Sequence, residues 1–294
     1  MDYLCHKMRD LPKVLFVAPT ESDGLTLIEE LENPRFYKQK VGEVHGGIWK
    51  QASAKILITG HNPDAAASGL REAVTVDKPL AIISLGFGTA LNSSLLVGDI
   101  VVCHEFKNAI GVGSRMAAVT LPDKTIDLLK YVMRTVPDLR CKLGSVVTVF
   151  DPVRDPGEKY QLFHRTQCEV VDQSAISIAG ICEEFKIPFV VVRCIFDLSD
   201  ERLPEIDHYV RQKARVSTTR MLGKLALNPG SFFTMRDLMK RAKMCRRNMD
   251  VFINAFWTAI KSRREENISL SQFNKPKEDE KKGKEEDGAA APAA

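Results

Sequence analysis

The sequence predicts a three-layered α/β domain with a central mixed sheet, followed by a C-terminal helical extension. Short continuous apolar runs recur along the first two thirds of the chain, as in strands that are covered on both faces. Segments with helix signals separate these runs, and this alternation favours a sheet between layers of helices. After about Leu227 the pattern becomes basic and amphipathic, which predicts the extension.

The predicted strands and helices alternate from the first apolar run onward. Strands are expected at 13–18, 55–60, 80–85, 97–103, 143–150 and 188–195. Helices are expected at 24–32, from 63, at 125–134, from about 158 and at 175–185. Asn33 and Pro34 are expected to end the first helix, and Pro63 suits the first turn of the second.

The chain is predicted to have four parts. A lead at 1–12 precedes the α/β domain at 13–227, and a basic helical extension at 228–270 and a disordered tail at 271–294 follow. From Lys275 onward no apolar residue larger than alanine or proline occurs that could support an ordered core. In the extension, apolar residues recur three and four positions apart between lysines and arginines, which is typical of an amphipathic helix.

Composition excludes several classes of protein. A net charge of +4 is too small to indicate nucleic-acid binding. No apolar run approaches the roughly 18 residues of a membrane span, and the N-terminus lacks the apolar stretch of a signal peptide. The seven cysteines include no Cys-x-x-Cys pair, so we expect reduced thiols and a cytoplasmic protein. No cofactor and no metal site is expected.

Residues 170–197 carry the main functional motif. They are predicted to form a strand end, a helix of small residues and a buried strand that stops on an acid, Asp197. Open α/β enzymes place their chemistry at the carboxyl ends of such strands. The segment resembles the purine nucleoside phosphorylase and nucleosidase superfamily in its Val-Asp start, its Pro-Phe pair and its Arg-x-Ile-x-Asp strand end. The resemblance extends over about residues 13–226.

The resemblance implies cleavage of the N-glycosidic bond of a purine nucleoside, by phosphate or by water. Asp197 would protonate or hydrogen-bond N7 of the base, and a raised pKa would be needed for proton transfer near neutrality. Ser174 occupies the position of the family's ribose-binding glutamate, after Asp172 and Gln173, and Phe196 stands where the family has serine. A hydroxyl can hydrogen-bond the sugar but supplies no negative charge to its transition state.

A glycine-rich stretch after the third predicted strand is a second candidate for ligand contact. Gly86, Phe87, Gly88 and Thr89 precede a Val-Gly-Asp run at a spacing similar to that of the family's nucleoside-binding turn. Glycines let backbone amides approach a ligand closely. A plain strand-exit turn is the structural alternative, and Phe87 would either crowd the site or stack on a ring.

Two other loops hold candidate residues. Gly60 and His61 precede a helix N-terminus that could form part of a phosphate or ribose pocket. A histidine beside a turn is, however, more often a surface residue. After the first strand, Glu21 and Asp23 straddle the position of the glutamate that activates water in the family's nucleosidases; a polar loop with a helix cap is the alternative.

Residues 150–180 and the basic extension are similar to those of the hopanoid-associated phosphorylases, whose substrate is a lipid-linked nucleoside that releases adenine. This resemblance implies a small-molecule nucleoside partner, with phosphate as a potential co-substrate. A homo-oligomer is expected, and nucleic acid is not. Region 235–264 could contact a membrane surface or pack on the domain or a partner subunit. A catalytically degenerate homologue that binds a nucleoside or a protein is the alternative function.

Overall fold

The structure, a computed structural model, describes residues 11–110, 118–204 and 229–273, with the side chains of the last helix described over 235–262. Most of the predicted lead (1–10) and tail (274–294) lie outside the described residues. The elements in chain order are β1 (Lys13–Ala18), α1 (Glu21–Glu29), β2 (Glu32–Lys38), β3 (Glu43–Trp49), β4 (Ala52–Ile58), α2 (Pro63–Val76), β5 (Ala81–Ala90), β6 (Ile100–Asn108), β7 (Ala118–Thr120), α3 (Asp123–Thr135), β8 (Cys141–Thr148), α4 (Pro156–Thr166), β9 (Val170–Asp172), α5 (Ala175–Glu184), β10 (Phe189–Asp197) and α6 (Pro229–Phe273).

The strands form one mixed sheet, part of which closes on itself. The order is β10-β6-β8-β9-β5-β1-β4-β3-β2, and β10 also pairs with β5, so that β5, β10, β6, β8 and β9 form a ring. The predicted α/β class, with a mixed sheet and a C-terminal helix, is confirmed. The ring was not predicted, because pairing between strands far apart in the sequence leaves no local pattern.

The first half of the sheet ends in a hairpin, β2–β3, that was not predicted from the sequence. The helix predicted at 24–32 ends at Glu29, and β2 begins at Glu32 and runs through Pro34. The β2–β3 pairing is irregular between Glu32 and Arg35, and every residue of β2 is exposed. Proline is tolerated in such an edge strand because its missing N–H breaks no central ladder.

The glycine-rich stretch is a strand and not a turn, which corrects the prediction. β5 continues to Ala90 instead of ending at Leu85. At Gly88 a Cβ atom would lie 2.6 Å from Cγ1 of Val170 and 3.2 Å from Cβ of Arg193. Gly88 therefore allows β5, β9 and β10 to approach one another closely inside the ring.

The helices start where local hydrogen bonds favour them. Asn62 caps α2 by accepting from the amides of Asp64 and Ala65 at 2.8 and 3.1 Å, with Pro63 in the first turn. Helices α2 and α5 pack together on β1, β4 and β5. This core contains Leu15, Val17, Leu57, Leu70, Val74, Ile82, Ile178 and Cys182.

The chain divides into two compact units within α6, after Ala255. In the first unit, apolar residues three and four apart on α6 are buried: Leu238, Ala242, Cys245, Met249 and Phe252. The Sγ of Cys245 lies 3.3 Å from the carbonyl oxygen of Ile195 in β10. The second unit begins at Phe256 and includes the rest of α6. Among the described residues, no helix has the length and apolarity needed to span a membrane.

Candidate active site

A cleft lies beside the junction of β5, β9 and β10 in the ring. Its volume is about 500 Å³, including space open to solvent. The strands contribute Phe87, Thr89, Val171, Asp172 and Arg193 to its wall. Loops and helix starts contribute Pro19, His61, Val149, Pro152, Val153, Gln173, Ser174 and Leu203. Apolar walls with a few convergent polar groups are typical of small-molecule sites.

An ion pair between Asp172 and Arg193 forms the polar wall of the cleft, and we call it the open pair. Nε and Nη2 of Arg193 donate to one carboxylate oxygen of Asp172 at 2.9 and 2.7 Å. The hydroxyl of Thr148 donates to the other oxygen at 2.8 Å, and the amide of Ala175 also donates to the carboxylate. Arg193 is fully buried. Burial of its charge is tolerated because the guanidinium is paired and hydrogen-bonded.

Ser174 places a hydroxyl beside the open pair. Nη2 of Arg193 lies 3.3 Å from its Oγ. Ser174 is the residue before α5, but its side chain makes no cap bond; Asp172 bonds the first helical amide instead. The side-chain amide of Gln173 donates to the carbonyl of Phe150 at 2.6 Å. The position where the resemblance implies a glutamate is thus polar and buried, without a negative charge of its own.

A second buried ion pair joins Asp197 to Lys159, and we call it the sealed pair because both side chains are 0% exposed. Nζ of Lys159 lies 2.7 Å from one carboxylate oxygen, and the hydroxyl of Thr89 donates to the other at 2.8 Å. Asp197 does not line the cleft, whereas Thr89 does. The ammonium compensates the carboxylate charge, which differs from the uncompensated burial typical of a proton-donating acid.

The two phenylalanines of the site stack on each other. The ring centroids of Phe87 and Phe196 are 5.2 Å apart and the ring planes differ by 7°. Phe87 lines the cleft, and Phe196 is fully buried behind it. The stacked ring of Phe196 therefore supports the Phe87 side chain that lines the cleft.

The loop after β1 forms a helix cap, which was the alternative interpretation of the segment with Glu21 and Asp23. The amide and hydroxyl of Thr20 donate to the Asp23 carboxylate at 3.1 and 2.5 Å, and the amide of Phe87 donates to it at 3.1 Å. Glu21 lies 3.8 Å from Nε2 of His45. Neither acid lines the cleft, so this placement does not support a catalytic role for Glu21.

The predicted site residues divide into two groups. Six line the cleft: His61, Phe87, Thr89, Asp172, Gln173 and Ser174. The lining does not include Gly60, Gly86, Gly88, Phe196, Asp197 or Glu21. Gly60 has a φ of +80°, which glycine adopts readily, so it shapes the turn before α2. At Gly86 a Cβ atom would lie 3.1 Å from Cδ of Pro19, which indicates a packing role.

Two charged residues of the site were missed as candidates. Arg193 had a usable signal, because a charged residue within a buried apolar strand needs a partner. Lys159 had none, because helix α4 is largely polar along its sequence. The burial of Lys159 can be recognised only from its contacts in the structure.

The cleft and the mixed sheet define an α/β protein with a small-molecule site. A family model described as the phosphorylase superfamily matches residues 13–226. The chain therefore belongs to this superfamily.

Several known proteins are similar to the chain. A 5'-methylthioadenosine/S-adenosylhomocysteine nucleosidase of Tolumonas auensis is 23% identical over 228 residues, covering 72% of this chain and 98% of the relative. The corresponding nucleosidase of Shewanella piezotolerans is 23% identical over 216 residues, covering 67% and 92%. With family membership, these relatives confirm the prediction of an enzyme of the nucleoside phosphorylase and nucleosidase class.

Solved structures share the fold. The nucleosidase of Colwellia psychrerythraea in complex with adenine has a TM-score of 0.67 at 16% identity, covering 85% of this chain and 96% of that one. Futalosine hydrolase of Helicobacter pylori has a TM-score of 0.65 at 12% identity, covering 84% and 99%. At these identities the likeness confirms the α/β architecture.

Proposed function

We propose that the chain cleaves the N-glycosidic bond of a purine nucleoside, with water or phosphate as the acceptor. The bond between sugar carbon and base nitrogen breaks, the base leaves with the bonding electrons and takes up a proton, and an oxygen of the acceptor bonds to the sugar carbon as the acceptor loses a proton. The observation that carries the proposal is a cleft that is lined by the open pair and by Thr89, whose hydroxyl donates to Asp197.

We assign the base to the wall formed by Phe87 and Thr89. The Phe87 ring offers a face on which a purine can stack. Because the Thr89 hydroxyl donates to Asp197, its lone pairs are free to accept an N–H of the base. Asp197 then acts on the base through Thr89. Direct protonation of N7 by Asp197, as the resemblance implies, would require its carboxyl group to leave Thr89 or Lys159.

We assign the sugar to the wall formed by Asp172 and Ser174. Their oxygens can bond ribose hydroxyls, but the charge of Asp172 is largely compensated by Arg193. Negative charge near the sugar stabilises the transition state of this reaction. The negative charge near the sugar is reduced at this site. This favours a second candidate function, a degenerate homologue that binds nucleosides without cleaving them.

The test is release of free base from adenosine-type nucleosides, including lipid-linked ones, with and without phosphate. We expect the wild type to release base and Asp197→Asn to lose this activity. The control Asp138→Asn, on an exposed loop, should keep it. Dependence on phosphate distinguishes phosphorolysis from hydrolysis. No release across the panel contradicts the proposal, and activity gained only in Ser174→Glu supports the degenerate homologue.

The proposal extends to adenine as the base, a lipid-linked sugar, a homo-oligomer and peripheral contact with the cytoplasmic membrane surface. The outward face of α6 supports the membrane part, because its exposed side chains include Arg236, Lys240, Lys243 and Arg247 with Met239 and Met244. Each basic residue near an anionic bilayer contributes about 1 kcal/mol. Flotation with anionic but not neutral vesicles is expected, and it should weaken when the four basic residues are changed to glutamine. Equal flotation of both proteins contradicts this part.

A further inference from the structure

The turn after β10, residues 198–201, is closed by its own hydrogen bonds. The amide of Glu201 donates to the carbonyl of Leu198 at 3.3 Å. The Glu201 carboxylate accepts from the amide of Leu198, also at 3.3 Å. Glu201 thus stabilises the turn with both its backbone and its side chain.

Lys159 holds the inner side of this turn. Its Nζ donates to the carbonyls of Leu198 and Glu201, each at 2.6 Å, and to Asp197 at 2.7 Å. An ammonium has three protons, and these three acceptors use all of them. The position of Lys159, and with it the orientation of the Asp197 carboxylate, therefore depends on where the turn presents its two carbonyls.

Arg241 of α6 holds the outer side of the turn. Its Nη1 lies 2.7 Å from the Glu201 carboxylate and 3.4 Å from the carbonyl oxygen of Phe196. Its Nε donates to Asp237, one helical turn earlier, at 2.8 Å. The side chains of Arg241 and Glu201 are 20% and 27% exposed, so solvent screens this pair less than a fully exposed one.

We propose that Arg241 is a positioning residue for the candidate active site. Arg241 fixes the Glu201 carboxylate, the turn then presents its carbonyls to Lys159, and Lys159 fixes Asp197 behind Thr89. The same turn leads to Leu203, which lines the cleft. The kinetic part of this inference rests on the proposed function, whereas its structural part concerns only the turn.

The test compares Arg241→Met with Arg134→Met, the same change at an exposed position of α3. Hydrogen exchange of the backbone at 196–204 should become faster by about tenfold in the first variant and stay unchanged in the second, because a lost contact allows local opening. For base release, kcat should fall by about 10- to 100-fold with KM changed by less than about threefold. Arg241→Lys should recover part of kcat, because a lysine can still pair with Glu201.

Glu201→Gln tests the other side of the contact if Arg241→Met does not fold. It should reduce kcat, and Arg241→Met should then add little to it, because both changes break the same contact. The inference would be overturned if the exchange rates and kcat were equal in Arg241→Met and Arg134→Met. Faster exchange with an unchanged kcat would also overturn it. A wild type that releases no base refutes the proposed function, and the exchange experiment still tests the turn.

Discussion

The open pair and the sealed pair each join a buried aspartate to a buried basic side chain near one cleft, but only the open pair lines it. Both members of the open pair, Asp172 and Arg193, line the cleft. Both members of the sealed pair, Asp197 and Lys159, are fully buried and reach the cleft through Thr89. The two pairs therefore have different roles because they lie differently relative to the cleft.

A buried acid near a cleft therefore need not face the ligand. The open pair lines the cleft, so it can exchange hydrogen bonds with a bound molecule although its side chains are only 1% and 3% exposed. The sealed pair has its charges compensated within the protein, so its main effect is on geometry. Removing one partner of such a pair leaves an unpaired buried charge, whereas removing both costs much less.

The largest effect is expected when the sealed pair is broken at Lys159. Lys159→Met should lower the free energy of unfolding by about 3–5 kcal/mol, because Asp197 loses its counter-charge. Urea denaturation measures the loss. Lys130→Met, at a side chain that is 51% exposed on α3, is the control and should change stability by less than about 0.5 kcal/mol. The double change Lys159→Met with Asp197→Leu should be more stable than Lys159→Met alone; a single change that costs less than about 1 kcal/mol contradicts the sealed pair.

A change in the open pair should affect both stability and ligand binding. Asp172→Asn keeps the shape of the side chain but removes the charge that faces Arg193. We expect the free energy of unfolding to fall by about 1–3 kcal/mol. Binding of adenosine, measured by calorimetry, should weaken as well. Asp151→Asn on an exposed loop is the control, and unchanged binding in Asp172→Asn would argue that the open pair does not meet the ligand.

The packing around the open pair can be tested at Gly88. Gly88→Ala should destabilise by about 1–3 kcal/mol, because the added methyl group would overlap Val170 and press on Arg193. Gly180→Ala on α5 is the matched control: its Cβ meets no atom within 4 Å, and alanine in a helix should stabilise by about 0.5–1 kcal/mol. Equal thermal unfolding temperatures for the two variants would contradict the close approach of the three strands.

The smallest effect is expected at Ser174. Ser174→Ala removes one long contact to Arg193, which keeps Asp172 and Ser84 as partners. The free energy of unfolding should fall by about 0.5–1 kcal/mol in urea denaturation. Ser68→Ala, on the exposed face of α2, serves as the control. A loss above about 2 kcal/mol would show that the hydroxyl supports the open pair more strongly than its geometry indicates.

Much of the fold was predictable because burial leaves a local pattern. The apolar runs that became β1, β4 and β10 lie inside the sheet, and the helix of small residues that became α5 packs on it. The exposed hairpin strand β2 was missed, because none of its residues is buried and Pro34 indicated a break.

The candidate site was predictable where its residues are neighbours in the sequence. Asp172, Gln173 and Ser174 are consecutive, and Phe87 and Thr89 lie on one strand, so a motif could place each group. The wrong conformation of the glycine-rich stretch has a physical reason. Glycine favours turns, but it also lets strands approach closely, and only the neighbours Val170 and Arg193 distinguish the two uses.

The α/β class, the family motif and the acid at the end of β10 could be predicted from the sequence, because these depend on apolar runs and on residues close together in the chain. The pairing of Asp197 with Lys159 and the contact of Arg241 with the turn beyond β10 become apparent only in the folded chain. Lys159 lies 38 residues before Asp197 and Arg241 lies 40 residues after Glu201. The energy of such contacts depends on distance and burial in space, which sequence separation does not report.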